Sequence, residues 1–132
     1  MQIDHIGYAV ADIRRAADTL SSLGFSRGEI ISDDMRKINI CFMTNGGYKI
    51  ELVSPVAEGS PVDGILKNSG DGPYHICYST QNLDDEIENL LLQKFKKISE
   101  PAEAVAFGGR RVVFLYNRNV GLIELVEESK DE

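Results

Sequence analysis

The pattern of apolar and polar residues divides the chain into short strands and two amphipathic helices. In most segments, apolar residues alternate with small or polar ones, as in half-buried strands. These segments are residues 3–10, 26–31, 38–44, 48–53, 73–80, 111–116 and 120–127, with a shorter strand around Ile98. Apolar residues recur at helical spacing after Asp12 and after Asn82, two residue types that favour the first position of a helix. The predicted order is strand, helix and three strands, and this order then repeats.

A segment rich in glycine and proline separates the two runs of elements. Residues 54–72 hold two prolines, several glycines and a short helical stretch at 62–67, which is typical of a connector. We therefore interpret residues 1–132 as a single domain of two modules. The N-terminal module covers residues 1–53 and the C-terminal module covers residues 73–128.

The second module repeats residues of the first at the same structural places. A shift of 70 residues aligns five identities, among them His5 with His75 and Tyr8 with Tyr78. A shift of 73 residues aligns Ile-Glu-Leu-Val at 50–53 with the same four residues at 123–126. The difference between the two shifts fits one longer loop in the second module. The sequence therefore predicts an internal repeat of one supersecondary unit.

Each module is predicted to place one histidine and one glutamate on the same face of its strands. Side chains alternate between the two faces of a strand. His5 and His75 fall on the side that also carries small residues, whereas Ile6 falls on the side that can pack under the helix. Glu51 and Glu124 interrupt apolar runs whose neighbours take the helix side. All four side chains are therefore expected on the open, concave side.

A metal ion is the simplest compensating partner for this set of side chains. An unpaired carboxylate on a buried strand costs roughly several kcal/mol. No lysine or arginine recurs at an equivalent place in both modules. A single such histidine or glutamate is usually a core residue or half of an ion pair. The doubled set favours a divalent ion bound by His5, Glu51, His75 and Glu124, since imidazoles suit zinc, nickel, cobalt and iron.

The composition fits a globular protein and argues against two kinds of partner. The net charge of −7 opposes nucleic acid as the main partner. No apolar run approaches the roughly 20 residues of a membrane helix, and the first residues lack the pattern of a signal peptide. Cys41 and Cys77 lack the spacing of a metal site and are expected to be reduced thiols. We therefore expect a cytoplasmic protein that binds neither nucleic acid nor membrane.

These residues resemble the vicinal oxygen chelate superfamily, which includes glyoxalase I and methylmalonyl-CoA epimerase. The resemblance covers nearly the whole chain. It rests on Asp4-His5-Ile6-Gly7-Tyr8-Ala9-Val10, residues 50–53, Tyr74-His75-Ile76-Cys77 and Gly121-Leu122-Ile123-Glu124-Leu125. It implies an α+β fold in which two tandem βαβββ modules form an open, cupped sheet around a metal-binding cleft. The metal-dependent members hold one divalent ion at the places of His5, Glu51, His75 and Glu124, in the order His, Glu or Gln, His, Glu.

The resemblance also implies a metal-dependent isomerase or lyase. Such an enzyme moves a proton next to a carbonyl through a metal-bound enediolate. Its substrate would be an acyl-CoA thioester or a thiol hemithioacetal, and the protein is expected to be a homodimer. We favour Glu124 as the base, with Glu51 as its partner or as a ligand only.

The best interpretation within this superfamily is an enzyme like methylmalonyl-CoA epimerase, because the connector and Gly72-Pro73-Tyr74-His75 are similar to that style. Two details depart from it: Tyr74 stands where epimerases usually have a second histidine, and Glu51 is the choice of glyoxalases. Glyoxalase I (lactoylglutathione lyase) is therefore the alternative, although the chain has no tryptophan before the second histidine. Further alternatives are a ring-cleaving dioxygenase relative, which usually has four modules, and a non-catalytic binding protein, which usually lacks the ligand set.

Overall fold

The protein is represented by a computed structural model that describes residues 1–129; residues 130–132 of the predicted domain lie outside the described residues. The strands are β1 (Gln2–Ala9), β2 (Ser26–Asp33), β3 (Ile38–Asn45), β4 (Tyr48–Pro55), β5 (Gly72–Thr80), β6 (Lys96–Lys97), β7 (Ala102–Glu103), β8 (Arg111–Asn117) and β9 (Gly121–Glu127). The helices are α1 (Ile13–Ser22), α2 (Asp63–Ser69) and α3 (Leu83–Leu92). The predicted α+β class is confirmed.

These elements group into two compact units. The N-terminal unit comprises residues 5–74, and the C-terminal unit comprises residues 1–4 together with the chain from residue 75 onward. In the N-terminal unit the strand order is β2-β3-β4-β1, with β1 parallel to β4. In the C-terminal unit the order is β6-β8-β9-β5, with β5 parallel to β9 and β7 also paired to β8. The two units therefore share one topology.

Both long helices begin at the predicted caps. The Asp12 carboxylate accepts a hydrogen bond from the Arg15 backbone N–H at 3.1 Å, and the Asn82 side-chain oxygen accepts one from the Asp85 N–H at 3.1 Å. Each cap satisfies one backbone donor that the first turn of a helix leaves without an intrahelical acceptor. The caps therefore mark where α1 and α3 begin.

Equivalent residues build the core of each unit. In the N-terminal unit the buried cluster contains Val10, Ile13, Ala17, Cys41, Met43, Ile50 and Leu52. In the C-terminal unit it contains Leu83, Ile87, Leu90, Val113, Leu115, Ile123 and Leu125. Leu52 and Leu125 belong to the repeated tetrapeptide, and both are fully buried. Burial of one apolar side of the strands leaves the other side of each ladder for the histidine and the glutamate.

Replacing Leu125 by alanine is expected to destabilise the protein by about 2–5 kcal/mol, because a fully buried leucine leaves a cavity when it is truncated. Leu92 on α3 is the matched control, since its side chain is 85% exposed, and the same change there should stay within about 0.5 kcal/mol. Urea unfolding of the two variants measures both values. Equal losses would contradict the assignment of this core.

The structure corrects some predicted details. Ile6 was expected under the helix, but it is 37% exposed, because the apolar cluster includes the later residues Tyr8 and Val10 but not Ile6. The short strand expected around Ile98 lies at Lys96–Lys97. The two-residue strand β7 and a 3-10 turn at Val105–Phe107 were not predicted, since such short elements leave no periodic pattern. Among residues 1–129, every helix is too short or too polar to cross a membrane.

Candidate metal centre

The N-terminal unit brings His5 and Glu51 together. Strands β1 and β4 are parallel, and their register sets Gly7 beside Glu51. His5 precedes Gly7 by two residues and therefore shares its face of the strand. The His5 Nε2 and Glu51 Oε1 atoms are 3.3 Å apart. Both residues are buried, with 1% and 4% of their surface exposed.

The C-terminal unit builds the same pair from equivalent strands. The parallel register of β5 and β9 sets Cys77 beside Glu124, and His75 precedes Cys77 by two residues. The His75 Nε2 and Glu124 Oε1 atoms are 3.0 Å apart. Both residues are 4% exposed. The repeated tetrapeptide thus delivers its glutamate to a buried histidine in each unit.

A phenylalanine packs edge-on against each histidine, which sequence reasoning missed. Phe42 lies opposite Glu51 in the β3–β4 ladder, and its ring centroid is 5.8 Å from that of His5. Phe114 lies opposite Glu124 in the β8–β9 ladder, and its centroid is 5.3 Å from that of His75. The interplanar angles of 70° and 89° are those of T-shaped contacts. These rings restrict how the imidazoles can turn.

The donor atoms of each pair fit a divalent metal ion. Each pair offers one imidazole nitrogen and one carboxylate oxygen. Two ligand atoms that each lie about 2.1 Å from an ion are about 3.0 Å apart at a right angle and about 3.4 Å apart at a tetrahedral angle. The observed separations of 3.0 and 3.3 Å fall in this range. Burial adds to the fit, because a metal ion compensates carboxylates that water does not reach.

The two cysteines have different surroundings. Cys41 belongs to the N-terminal core, where burial raises the pKa of its thiol, and its sulfur lies 3.5 Å from the Gly28 carbonyl oxygen. A thiol with a raised pKa stays protonated at neutral pH and is a poor nucleophile and a poor metal ligand. Cys77 lies beside Glu124 in the β5–β9 ladder and is fully buried. Both cysteines are buried.

Comparison with known proteins places this chain among well-characterised folds. Residues 4–114 match the model of the glyoxalase/bleomycin resistance protein/dioxygenase superfamily. The mitochondrial methylmalonyl-CoA epimerase of Homo sapiens is 30% identical over 94% of this chain and 72% of its own length. The ethylmalonyl-CoA/methylmalonyl-CoA epimerase of Cereibacter sphaeroides is 29% identical over 94% of this chain and 96% of its own. The crystal structure of methylmalonyl-CoA epimerase from Mycobacterium tuberculosis matches with a TM-score of 0.84 and 25% identity, over 97% of this chain and 88% of that one.

Proposed function

Because the chain belongs to the glyoxalase/bleomycin resistance protein/dioxygenase superfamily, we propose that it is an epimerase of methylmalonyl-CoA or of a closely related 2-substituted malonyl-CoA. The superfamily predicted from the sequence is thereby confirmed. Relatives named as epimerases of such thioesters match nearly the whole chain, which supports an enzyme of this type. The observation that carries the proposal is the buried His–Glu pair that recurs at the same ladder position in both units.

The proposal includes one divalent ion held by His5, Glu51, His75 and Glu124. The two pairs have the same donor types and nearly the same donor separation. Two carboxylates would neutralise the charge of the ion, and neutral imidazoles suit zinc, nickel, cobalt or iron. When bound, such an ion supplies a Lewis acid that polarises the carbonyl of the substrate.

We assign the proton transfer to the two carboxylates. The substrate proton lies on the carbon between the thioester carbonyl and the carboxylate, so its removal leaves a delocalised carbanion. Glu124 would accept this proton, and return of a proton to the opposite face of the carbon would invert the centre. Glu51 occupies the equivalent place in the other unit and is proposed either as the partner that donates that second proton from its own protonated carboxyl group, or as a ligand only. In the partner role, proton exchange with solvent would restore both carboxyl groups after each turnover. Burial of both carboxylates excludes water that would otherwise compete for the proton.

Glyoxalase I remains the second candidate, and one residue favours it. Glu51 is the residue that glyoxalases have at this place, whereas epimerases often have glutamine. The same carboxylates would then move a proton within a glutathione hemithioacetal. The homodimer, the cytoplasmic location and the division into modules at residues 1–53 and 73–128 stay predictions alongside either activity.

A panel of substrates tests the proposed function. Metal-reconstituted protein is expected to exchange the α-hydrogen of methylmalonyl-CoA for solvent deuterium and to interconvert its two epimers, as measured by mass spectrometry and a stereospecific coupling enzyme. The double variant Glu51→Gln, Glu124→Gln, purified in the same way, controls for contaminating host enzymes. Turnover of the glutathione–methylglyoxal hemithioacetal alone would replace the epimerase by a glyoxalase. Oxygen uptake with a catechol, without either proton transfer, would replace both by a dioxygenase.

A further inference from the structure

The two units differ in charge beside their otherwise equivalent glutamates. Lys49 precedes Glu51 by two residues on β4, whereas Leu122 precedes Glu124 by two residues on β9. Residues two apart on a strand share one face, so Lys49 lies on the face of β4 that carries Glu51. The repeat therefore preserves its glutamate and its histidine, but the position two residues before the glutamate is a lysine in the N-terminal unit and a leucine in the C-terminal unit.

Lys49 is held beside the His5–Glu51 pair by the same ring that packs on the histidine. Its Nζ atom lies 5.3 Å from the centroid of the Phe42 ring. The His5 ring centroid lies 5.8 Å from the same Phe42 centroid. An ammonium group over an aromatic face is attracted by the ring quadrupole. Lys49 is also half-buried, and its ammonium group carries three N–H donors on an apolar stem. The side chain is thus oriented along the face of the pair rather than away from it.

Two other cations, Arg36 and Arg111, form ion pairs with carboxylates of neighbouring turns and strands. Arg36 pairs with Asp33 at 2.9 Å within the β2–β3 turn. Arg111 contacts Asp84 and Glu127, and these two carboxylates raise the pKa of its guanidinium. Lys49 is different in kind, because it stands on the face that carries the proposed reacting groups.

We infer that Lys49 binds an anionic group of the acyl-CoA substrate, an inference that rests on the proposed function. A malonyl-type thioester carries a carboxylate on the reacting carbon and phosphates on its coenzyme portion. The protein has a net charge of −7, and the two carboxylates would neutralise the proposed ion, so Lys49 would supply the local positive charge that attracts a polyanionic substrate. Two residues along a strand span about 7 Å, and a lysine stem can cover that distance. The ammonium group would donate hydrogen bonds to the anionic oxygens and set the orientation of the thioester.

The variant Lys49→Met tests this inference, because KM and kcat are expected to respond differently to the substitution. The KM for methylmalonyl-CoA is expected to rise roughly 10- to 100-fold, as for loss of one hydrogen bond to a charged group, while kcat changes only a few-fold. Lys49→Arg should recover most of the affinity, because it keeps the positive charge. Lys96→Met, which removes an exposed lysine of β6, is the matched control and should leave KM unchanged. The metal content of every variant is measured alongside, so that a disturbed His5 is recognised.

A second substrate identifies the anionic group. The N-acetylcysteamine thioester of methylmalonate retains the carboxylate but lacks the phosphates. A penalty for Lys49→Met on both substrates assigns the contact to the carboxylate, and a penalty on the CoA thioester alone assigns it to a phosphate. An unchanged KM on both substrates, with wild-type turnover intact, overturns the inference and leaves the proposed function standing. If the wild-type protein turns over neither thioester, the proposed function itself is overturned.

Discussion

Replacing Glu124 by glutamine is expected to remove nearly all exchange of the α-proton of the proposed thioester substrate, whereas the same change at Glu51 impairs it modestly, because Glu124 is the favoured base. An amide oxygen can still face a metal ion, but it cannot take a proton at neutral pH. A general base in such a role contributes about 10²–10⁴-fold to the rate. Glutamine is nearly isosteric with glutamate, so the contact with His75 Nε2, now 3.0 Å from the carboxylate, can persist in a folded variant. The same substitution is thus compared at equivalent positions of the two ladders.

Solvent deuterium exchange at the α-carbon of the substrate is the direct measurement. It reports proton removal even when the product is the mirror arrangement of the substrate at that carbon. Circular dichroism and metal content, recorded for both variants, separate a lost base from a lost fold or a lost ion. If Glu124→Gln exchanges deuterium at the wild-type rate, Glu124 is only a ligand, and Glu51 becomes the first candidate for the base.

The internal repeat could be predicted because strand alternation and helix caps depend on residues that are close together in the sequence. Alternation along a strand depends only on the identity of neighbouring residues, so the sequence alone predicts that His5 and Glu51 share one face. Helix caps are equally local, which is why Asp12 and Asn82 mark the helix starts correctly. Ile6 shows the limit of this reasoning. It was expected under the helix, but it is exposed, because the extent of the covering apolar cluster depends on tertiary packing.

The pairing of histidine with glutamate, and the ring beside it, could not be predicted from local patterns. His5 reaches Glu51 only because β1 and β4, far apart in the sequence, pair in one particular parallel register. Phe42 and Phe114 look like ordinary core residues in apolar strands. Their places opposite Glu51 and Glu124 follow from the antiparallel ladders. A signal existed nonetheless: a shift of 72 residues, between the other two shifts, aligns the two phenylalanines.

Removal of the imidazole ligands is expected to abolish the binding of zinc, nickel, cobalt or iron. The double variant His5→Ala, His75→Ala deletes both nitrogen donors, and the remaining carboxylates favour harder ions over zinc, nickel, cobalt or iron. Wild-type protein is expected to retain about one divalent ion per chain after purification and to lose it to EDTA. An ion present at 100 times its dissociation constant stabilises the fold by roughly 2.7 kcal/mol, which corresponds to a shift of about 10 °C in the melting temperature of a chain of this size. Elemental analysis and paired thermal melts measure the two effects.

The design must separate loss of ligands from loss of fold, since each alanine would leave a buried glutamate beside a small cavity. His5 and His75 are 1% and 4% exposed, so the variants His5→Gln and His75→Gln, which keep a polar side chain of similar length, are prepared as well. Phe114→Leu is the matched control, because it alters the ring that packs on His75 at 5.3 Å and leaves all four donors in place. This control should retain the ion and its EDTA-sensitive melting temperature. Full metal occupancy in the folded double variant, or identical melts of the wild type with and without EDTA, would show that the His–Glu pairs are structural hydrogen bonds. The proton transfer would then have to be explained by the carboxylates alone.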